Sequence, residues 1–154
     1  MSALIRITPS GPLIAERDGR VFAPLAQWLA QAGEDIRALV LSPTDDPLLL
    51  EGRTGALEVI AIEFPKPTDG RGFSIASLAR RRLGWRGELR AIGAVAYDQL
   101  AFMARCGFDA FDLREGEDAK ACLRAFSEIS VTYQHSNDGA TIFRRREAAL
   151  GGGR

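Results

Sequence analysis

The chain is short of the residues that usually mark an active centre. Its 154 residues hold two cysteines and a single histidine. Cys106 and Cys122 fall on different predicted helices with no Cys-x-x-C pair, and His135 stands alone in a polar segment. Ligand sets for zinc, haem or an iron–sulfur cluster, a poised dithiol, and Ser-His-Asp or Cys-His catalytic arrangements are all missing from the pattern. No metal or cofactor is evident, and both thiols read as buried structural residues. Net charge is also lacking: 20 basic against 20 acidic side chains give no overall field for nucleic acid or an anionic membrane. No apolar run approaches membrane-spanning length, and Met-Ser-Ala-Leu-Ile-Arg has no basic segment followed by an apolar one. The expectation is a soluble cytoplasmic protein with reduced thiols and no nucleic-acid or membrane partner.

What is present suffices for one folded domain. Hydrophobic residues make up 46% of the chain, enough for a sizeable core. Short apolar pieces at Leu4 to Thr8 and Leu13 to Ala15, separated by Pro9-Ser10-Gly11-Pro12, suit a hairpin or a turning strand. Pro24 to Ala32 reads as a helix with Pro24 in its first turn and Gly33 as its stop. A strand over Ile36 to Leu41 follows, then a helical fragment at Leu48 to Glu51 and a central strand over Leu57 to Phe64. Phe73 to Leu83 is a helix with Ile75, Ala76, Ala79 and Leu83 on one face, ended by Gly84. Next come a strand at Glu88 to Val95, a helix at Tyr97 to Cys106 stopped by Gly107, a strand at Phe108 to Leu113 and a helix at Asp118 to Phe126. Val131 to Gln134 suits a last edge strand.

Helix, glycine and strand recur in the order of βα units feeding a parallel sheet. The fold class expected is α/β, one domain over residues 1–134, with a mostly parallel sheet of four or five strands, flavodoxin-like or resembling part of a β/α barrel. A short β extension precedes it and a flexible tail, residues 135–154, follows it.

The stretch densest in functional groups is Glu63-Phe64-Pro65-Lys66-Pro67-Thr68-Asp69-Gly70-Arg71-Gly72-Phe73-Ser74. Gly70 and Gly72 let the backbone turn its N–H groups inward, Asp69 or Ser74 suits a helix cap, and Lys66, Thr68 and Arg71 suit an anion at the helix N-terminus. The pattern is neither a Walker A loop nor G-x-G-x-x-G, and the same residues are what a strand-to-helix turn requires. Ligands of open α/β sheets bind at the carboxyl ends of the strands, an edge that should also collect Thr44, Asp45, Tyr97, Asp98, Gln99 and Arg114. Asp98 reads as a capping carboxylate, or as a general base if buried.

From Lys66 to Arg90 the basic residues are Lys66, Arg71, Arg80, Arg81, Arg82, Arg86 and Arg90, against Asp69 and Glu88. Such a face suits docking of an acidic partner, or is simply solvated and balanced by the acids of Asp109 to Asp118.

Several of these strings together resemble a bacterial family of unknown function (DUF934). They are Glu63 to Ser74, Arg86-Gly87-Glu88-Leu89-Arg90-Ala91-Ile92-Gly93, Asp98-Gln99 and Arg105-Cys106-Gly107-Phe108-Asp109-Ala110-Phe111, and the resemblance spans about Ile36 to Gln134. Genes of that family commonly neighbour assimilatory sulfite reductase, and its members often carry an oxidoreductase label. The resemblance therefore implies an accessory or docking protein of sulfite reduction in sulfate assimilation, partnered by sulfite reductase or another sulfur-assimilation protein; a structural homodimer of the chain is a separate alternative. It supplies no catalytic residues. The family usually has Gly-Asp-Val where this chain has Gly93-Ala94-Val95. The alternative is a small enzyme or anion-binding module for a sulfate-like or phosphorylated ligand, built on Lys66, Thr68, Asp69, Gly70, Arg71, Gly72 and Ser74.

Overall fold

The structure, a computed structural model, describes residues 3–31 and 35–133, with side chains of the last helix as far as Phe126. Gly33, His135 and the expected tail lie outside the described residues. The elements run β1 (Leu4–Thr8), β2 (Gly11–Ala15), β3 (Ala23–Pro24), α1 (Leu25–Ala30), β4 (Ala38–Leu41), β5 (Val59–Phe64), α2 (Arg71–Arg81), β6 (Glu88–Gly93), α3 (Leu100–Cys106), β7 (Ala110–Asp112) and α4 (Ala119–Tyr133). Short 3-10 turns at Pro47–Leu50 and Tyr97–Gln99 precede β5 and α3.

All strands join one sheet of seven, in the order β2-β1-β7-β6-β5-β4-β3. The expected four or five strands are thus too few. β3 through β7 are the parallel part. The N-terminal pieces are not an appendage, because β1 pairs antiparallel with β7 and carries β2 at the edge. β3, only two residues long, is a strand that residue patterning could not register. A second correction concerns Val131 to Tyr133, which continue α4 instead of forming an edge strand. Asp118 caps that helix by accepting from Lys120 N and Ala121 N, and Cys122 and Phe126, one turn apart, are buried in the core.

The parallel strands follow one another across the sheet without reversal. Right-handed crossovers then place their helices on one face. That face holds the main core, with Leu39, Ile60, Ile62, Phe64, Leu89 and Phe111 pointing into it and Trp28, Met103, Phe108 and Phe126 filling it from the helix side. α3 ends on Gly107, and the turn that follows α2 passes through Gly84; their φ of 114° and 67° are the left-handed conformation that stops a helix.

Among the described residues, no helix lies on the second face. Arg6, Ala110, Arg90, Ala61 and Val40 lie in one row across it, on β1, β7, β6, β5 and β4. It is covered by residues 16–22, the connection from β2 at one edge to β3 at the other. Six strand spacings measure roughly 29 Å, and the eight peptide steps from Ala15 to Ala23 reach at most roughly 26–29 Å, so this strap has little slack. Its charges meet the strands in order: Arg17 pairs with Asp112 of β7 (2.6 Å), Asp18 with Arg90 of β6 (2.7 Å), and Arg20 with Glu58 just before β5 (2.8 Å).

Asp18 closes a ring of four charges. It takes two hydrogen bonds from the Arg90 guanidinium (3.1 and 2.7 Å) and one from Arg6 (3.1 Å), while Glu88 accepts from Arg6 (2.9 Å) and Arg90 (2.8 Å). Phe22 lies over Arg90, 5.4 Å from ring centre to guanidinium carbon. The Arg90 side chain is 4% exposed, so it belongs to the interior and not to a basic docking face. Arg80 is likewise buried. It donates to Gly107 O (2.9 Å), Trp85 O (2.9 Å) and Gly87 O (2.8 Å), and its Nη2 lies 3.5 Å from Asp109, whose carboxylate accepts from Leu89 N.

Two outcomes are expected from these networks. The hydrogen bond from Arg90 holds the Asp18 carboxyl well below its ordinary value of 3.8. A depressed folded-state value gives stability that is present above pH 3.8 and lost as the pH falls below it. Asp18→Asn should lower stability at neutral pH by about 2 kcal/mol, and urea midpoints measured downward from pH 5 should fall less steeply for it than for the wild type. Arg80→Ala leaves three carbonyls without their donor and removes the ion pair with Asp109, at a cost of about 3–5 kcal/mol, a drop in Tm of roughly 6–20 °C for a domain of this size. Arg80→Lys should recover little of it, because one ammonium cannot serve carbonyls arrayed for a guanidinium fork.

Candidate functional site

Four loops leave the carboxyl ends of β4, β5, β6 and β7, and the sequence-derived site residues all lie on them or in the first turn of α2. The structure brings them to one edge, as parallel strands require, but each loop is largely closed on itself. After β4, Ser42 N donates to Asp45 Oδ2 (2.8 Å) and the Ser42 and Thr44 hydroxyls lie 3.1 Å apart, while Asp46 Oδ1 accepts from Leu48 N. Asp45 is therefore a turn-forming carboxylate and Thr44 an exposed turn residue.

In the loop after β5, Asp69 stands one residue before Gly70, the N-cap of α2, and its Oδ1 accepts from Arg71 N (3.1 Å) in a turn that leads into the helix. The same carboxylate takes two bonds from the Arg71 guanidinium, 3.0 and 2.8 Å. Those bonds draw the Asp69 carboxyl down to about 2 and raise the Arg71 guanidinium further. The two groups expected to receive an anion thus neutralise each other, and Asp69 already sits where an anion would bind. Lys66, Thr68, Gly70 and Arg71 are exposed. Ser74 lies inside α2, which begins at Arg71, so it is not the cap.

The glycines have separate roles. A Cβ on Gly72 would lie 2.6 Å from the Phe64 ring, so this glycine lets α2 pack against β5. Gly70 has open space around it and φ of −84°, which any residue adopts. Gly93, at φ 89°, ends β6 where a Cβ would lie 2.5 Å from Phe64 O, and Ala94 N donates to that same oxygen at 2.7 Å. Position 94, where the resemblance leads one to expect Asp, is thus fixed against the β5 end by its backbone.

In the loop after β6, Asp98 is exposed within the 3-10 turn and makes no capping hydrogen bond there. The Gln99 amide donates to Pro67 O, which ties the start of α3 to the β5–α2 loop. After β7, Arg114 pairs with Glu117 at 2.9 Å. Across the four loops, Asp45, Asp46, Asp69, Asp98, Glu115, Glu117 and Asp118 face Lys66, Arg71 and Arg114. The edge is net acidic, which disfavours the sulfate-like ligand that Lys66 and Arg71 suggest in isolation. Because strand order never reverses within the parallel part, the edge also lacks the crevice that a doubly wound sheet opens at its switch point.

The opposite sign collects at the other end of the helices. Arg81, Arg82, Arg86 and Arg105 are exposed at the C-terminal ends of α2 and α3 and in the loop after α2, and residues 70–87 and 100–108 contain no acid. Sequence reasoning placed three of these correctly and missed Arg105. It also missed an exposed aromatic patch: Phe102 is 52% and Tyr97 43% exposed, and Phe102 packs edge-on against Phe73 at 4.8 Å. The available signal was Leu100-Ala101-Phe102-Met103-Ala104, apolar on every side of a short helix, so that some of it had to face outward.

Neither cysteine forms a disulfide. Burial raises the Cys106 thiol, and burial with the nearby Glu117 and Asp118 charges pushes Cys122 up to about 11. Among the described residues no group of three or more His, Cys, Asp and Glu is placed to hold a metal ion, and no helix is long and apolar enough to cross a membrane.

No curated protein and no solved structure matches this chain. A family model does: that described as a bacterial protein of unknown function (DUF934) matches residues 38–143, from the first residue of β4 through β5, α2, β6, α3, β7 and α4. The match covers more than half of the chain, and the protein belongs to this family of bacterial proteins of unknown function.

Proposed function

We propose that this protein is a non-catalytic docking or accessory protein of sulfite reduction in sulfate assimilation, and that it engages its partner through the basic ends of α2 and α3. The observation that supports docking most directly is that Arg82, Arg86 and Arg105 are all exposed at or just beyond the C-terminal ends of α2 and α3. Arginines at helix C-termini also offset the helix macrodipoles. That role accounts for one or two cations in the last turns and not for Arg86, which lies beyond Gly84. The self-pairing of Asp69 with Arg71, Arg114 with Glu117 and Asp45 with Ser42 N argues in the same direction, because it engages these candidate groups in contacts within their own loops. Sulfite reductase enters as the partner through the family's gene neighbourhood, and the charge pattern requires that the partner's surface be acidic.

The test is recovery of sulfite reductase on the immobilised protein. Capture is expected at an ionic strength of about 0.05 M and loss at about 0.5 M, where the Debye length shrinks to a few ångströms. Arg82→Glu with Arg86→Glu should abolish capture without moving the melting temperature, because both side chains are solvent-exposed. Failure to recover the reductase at low salt removes this reading. A thermal shift with sulfate or adenylated sulfate that disappears in Arg71→Ala would instead assign the strand-end edge to an anion.

A further inference from the structure

We propose that α3 pairs with the α3 of a second copy of this chain, antiparallel and across a two-fold axis. Phe102 of each protomer then lies on Ala101 of the other, and Asp98 of each faces Arg105 of the other. The exposed residues of α3 and of the turn that leads into it include Asp98, Ala101, Phe102 and Arg105, which share one helical face, while Leu100, Met103 and Ala104 are buried beneath. Phe102 is 52% exposed and Tyr97, at the start of the same stretch, 43%. The Phe102 ring is already held edge-on against Phe73 at 4.8 Å, so a further apolar group can cover it without rearrangement.

The pattern of this stripe is complementary to itself. Helices related by a two-fold axis match one residue with a second and that second with the first. An axis midway between Ala101 and Phe102 matches those two with each other and Asp98 with Arg105. The smallest exposed side chain then lies opposite the largest, which lets the helices approach, and an acid lies opposite a base at both ends. Asp98 and Arg105 stand two turns apart, roughly 10 Å along the axis, so they stay separate within one chain and meet in two equivalent pairs across the axis. Neither has an ion-pair partner among the described residues. The macrodipole of α3 itself favours an acid at its start and a base at its end, but it gives no account of an aromatic ring exposed between them. A partner surface of uniform charge would satisfy one end of the stripe, whereas a second copy satisfies both. Of the docking arginines Arg105 alone takes part; the dimer leaves Arg82 and Arg86 open and does not depend on the docking reading.

The test is sedimentation equilibrium of the full chain. A stripe of two turns is small against a standard interface, so the dimer should be reversible, with a dissociation constant of about 1–100 µM. Phe102→Ala should weaken it about tenfold or more. Asp98→Arg alone and Arg105→Asp alone should each do the same, by about tenfold, because one substitution turns two attractive pairs into two repulsive ones. Mixed together, these two charge variants should form a heterodimer tighter than either homodimer, since one brings two arginines and the other two aspartates. A chain carrying both substitutions should regain the wild-type dimer. All three positions are exposed, and unchanged melting temperatures will confirm that the variants fold. A monomer at concentrations up to about 1 mM, a dimer indifferent to these substitutions, or charge variants that fail to associate when mixed overturns the proposal. Docking is read separately, because Arg82→Glu with Arg86→Glu should leave the dimer unchanged. If the chain is monomeric and Phe102→Ala abolishes capture of the reductase, the stripe belongs to the reductase and the proposal is likewise overturned.

Discussion

The structure depends on covering a sheet that has helices on one side only. Strands laid down in sequence order, each joined to the next by a right-handed crossover, send the described helices to the same face and leave the other without one among the described residues. One connection crosses that face, and a single chain is a thin layer. The strands beneath it are built to match: Ala38, Ala61 and Ala110 are small, and with Leu4 and Val59 they are buried outside the main core. A strap of this kind buries too little apolar surface to hold itself down. Charge does that work here, through Arg17, Asp18 and Arg20 meeting β7, β6 and the approach to β5 in turn. Removing Arg90 from water is costly, but two carboxylates and the Phe22 ring surround it, and the ring of four charges fixes where the strap lies as well as how firmly.

That one-sided construction also shapes where function can reside. A doubly wound sheet opens a crevice where its crossovers diverge to opposite faces, and this sheet has no such point. Its strand-end edge is instead a row of compact turns with net negative charge, while the helix ends at the opposite edge carry net positive charge. A molecule with no net charge thus presents two faces of opposite sign. Composition alone conceals this, because it sums over the surface, whereas a partner approaching within about a Debye length senses one edge at a time.

The sequence made the repeating part of the fold legible, because the signals there are local. Gly84 and Gly107 stop helices through their own backbone conformation, and Val59 to Phe64 between Gly55 and Pro65 has the run of a central strand whatever its neighbours are. Features that depend on distant partners were hidden. Arg80, Arg81 and Arg82 are consecutive and chemically alike; what buries the first is a cluster of carbonyls at Trp85, Gly87 and Gly107, the last of which is 27 residues away. Arg90 alternates correctly for an outward-facing strand residue, and nothing near it in sequence reveals that a strap from residue 18 closes over it. β3 escapes notice because two residues carry no period. At the strand-end edge the position of each residue was legible but its partner was not: Asp69 and Arg71 look like two functional groups in a row and are one closed ion pair.

Burial of Arg80 links the core to the surface proposed for docking. Its guanidinium joins the last turn of α2 to the carbonyl of Gly107, where α3 stops, and Gly107 needs its left-handed φ and missing Cβ to admit the Arg80 stem, since a Cβ would lie 2.5 Å from Arg80 Cγ. At the other end of the same two helices, the Gln99 amide on Pro67 O and the Phe73–Phe102 pair tie the start of α3 to the start of α2. The groove between the two helices is therefore pinned at both ends by contacts internal to the fold, one polar and buried, the other aromatic and at the surface. The arginine that looked most like part of the docking face contributes by standing behind it, holding its two neighbouring helices at the distance the exposed residues require.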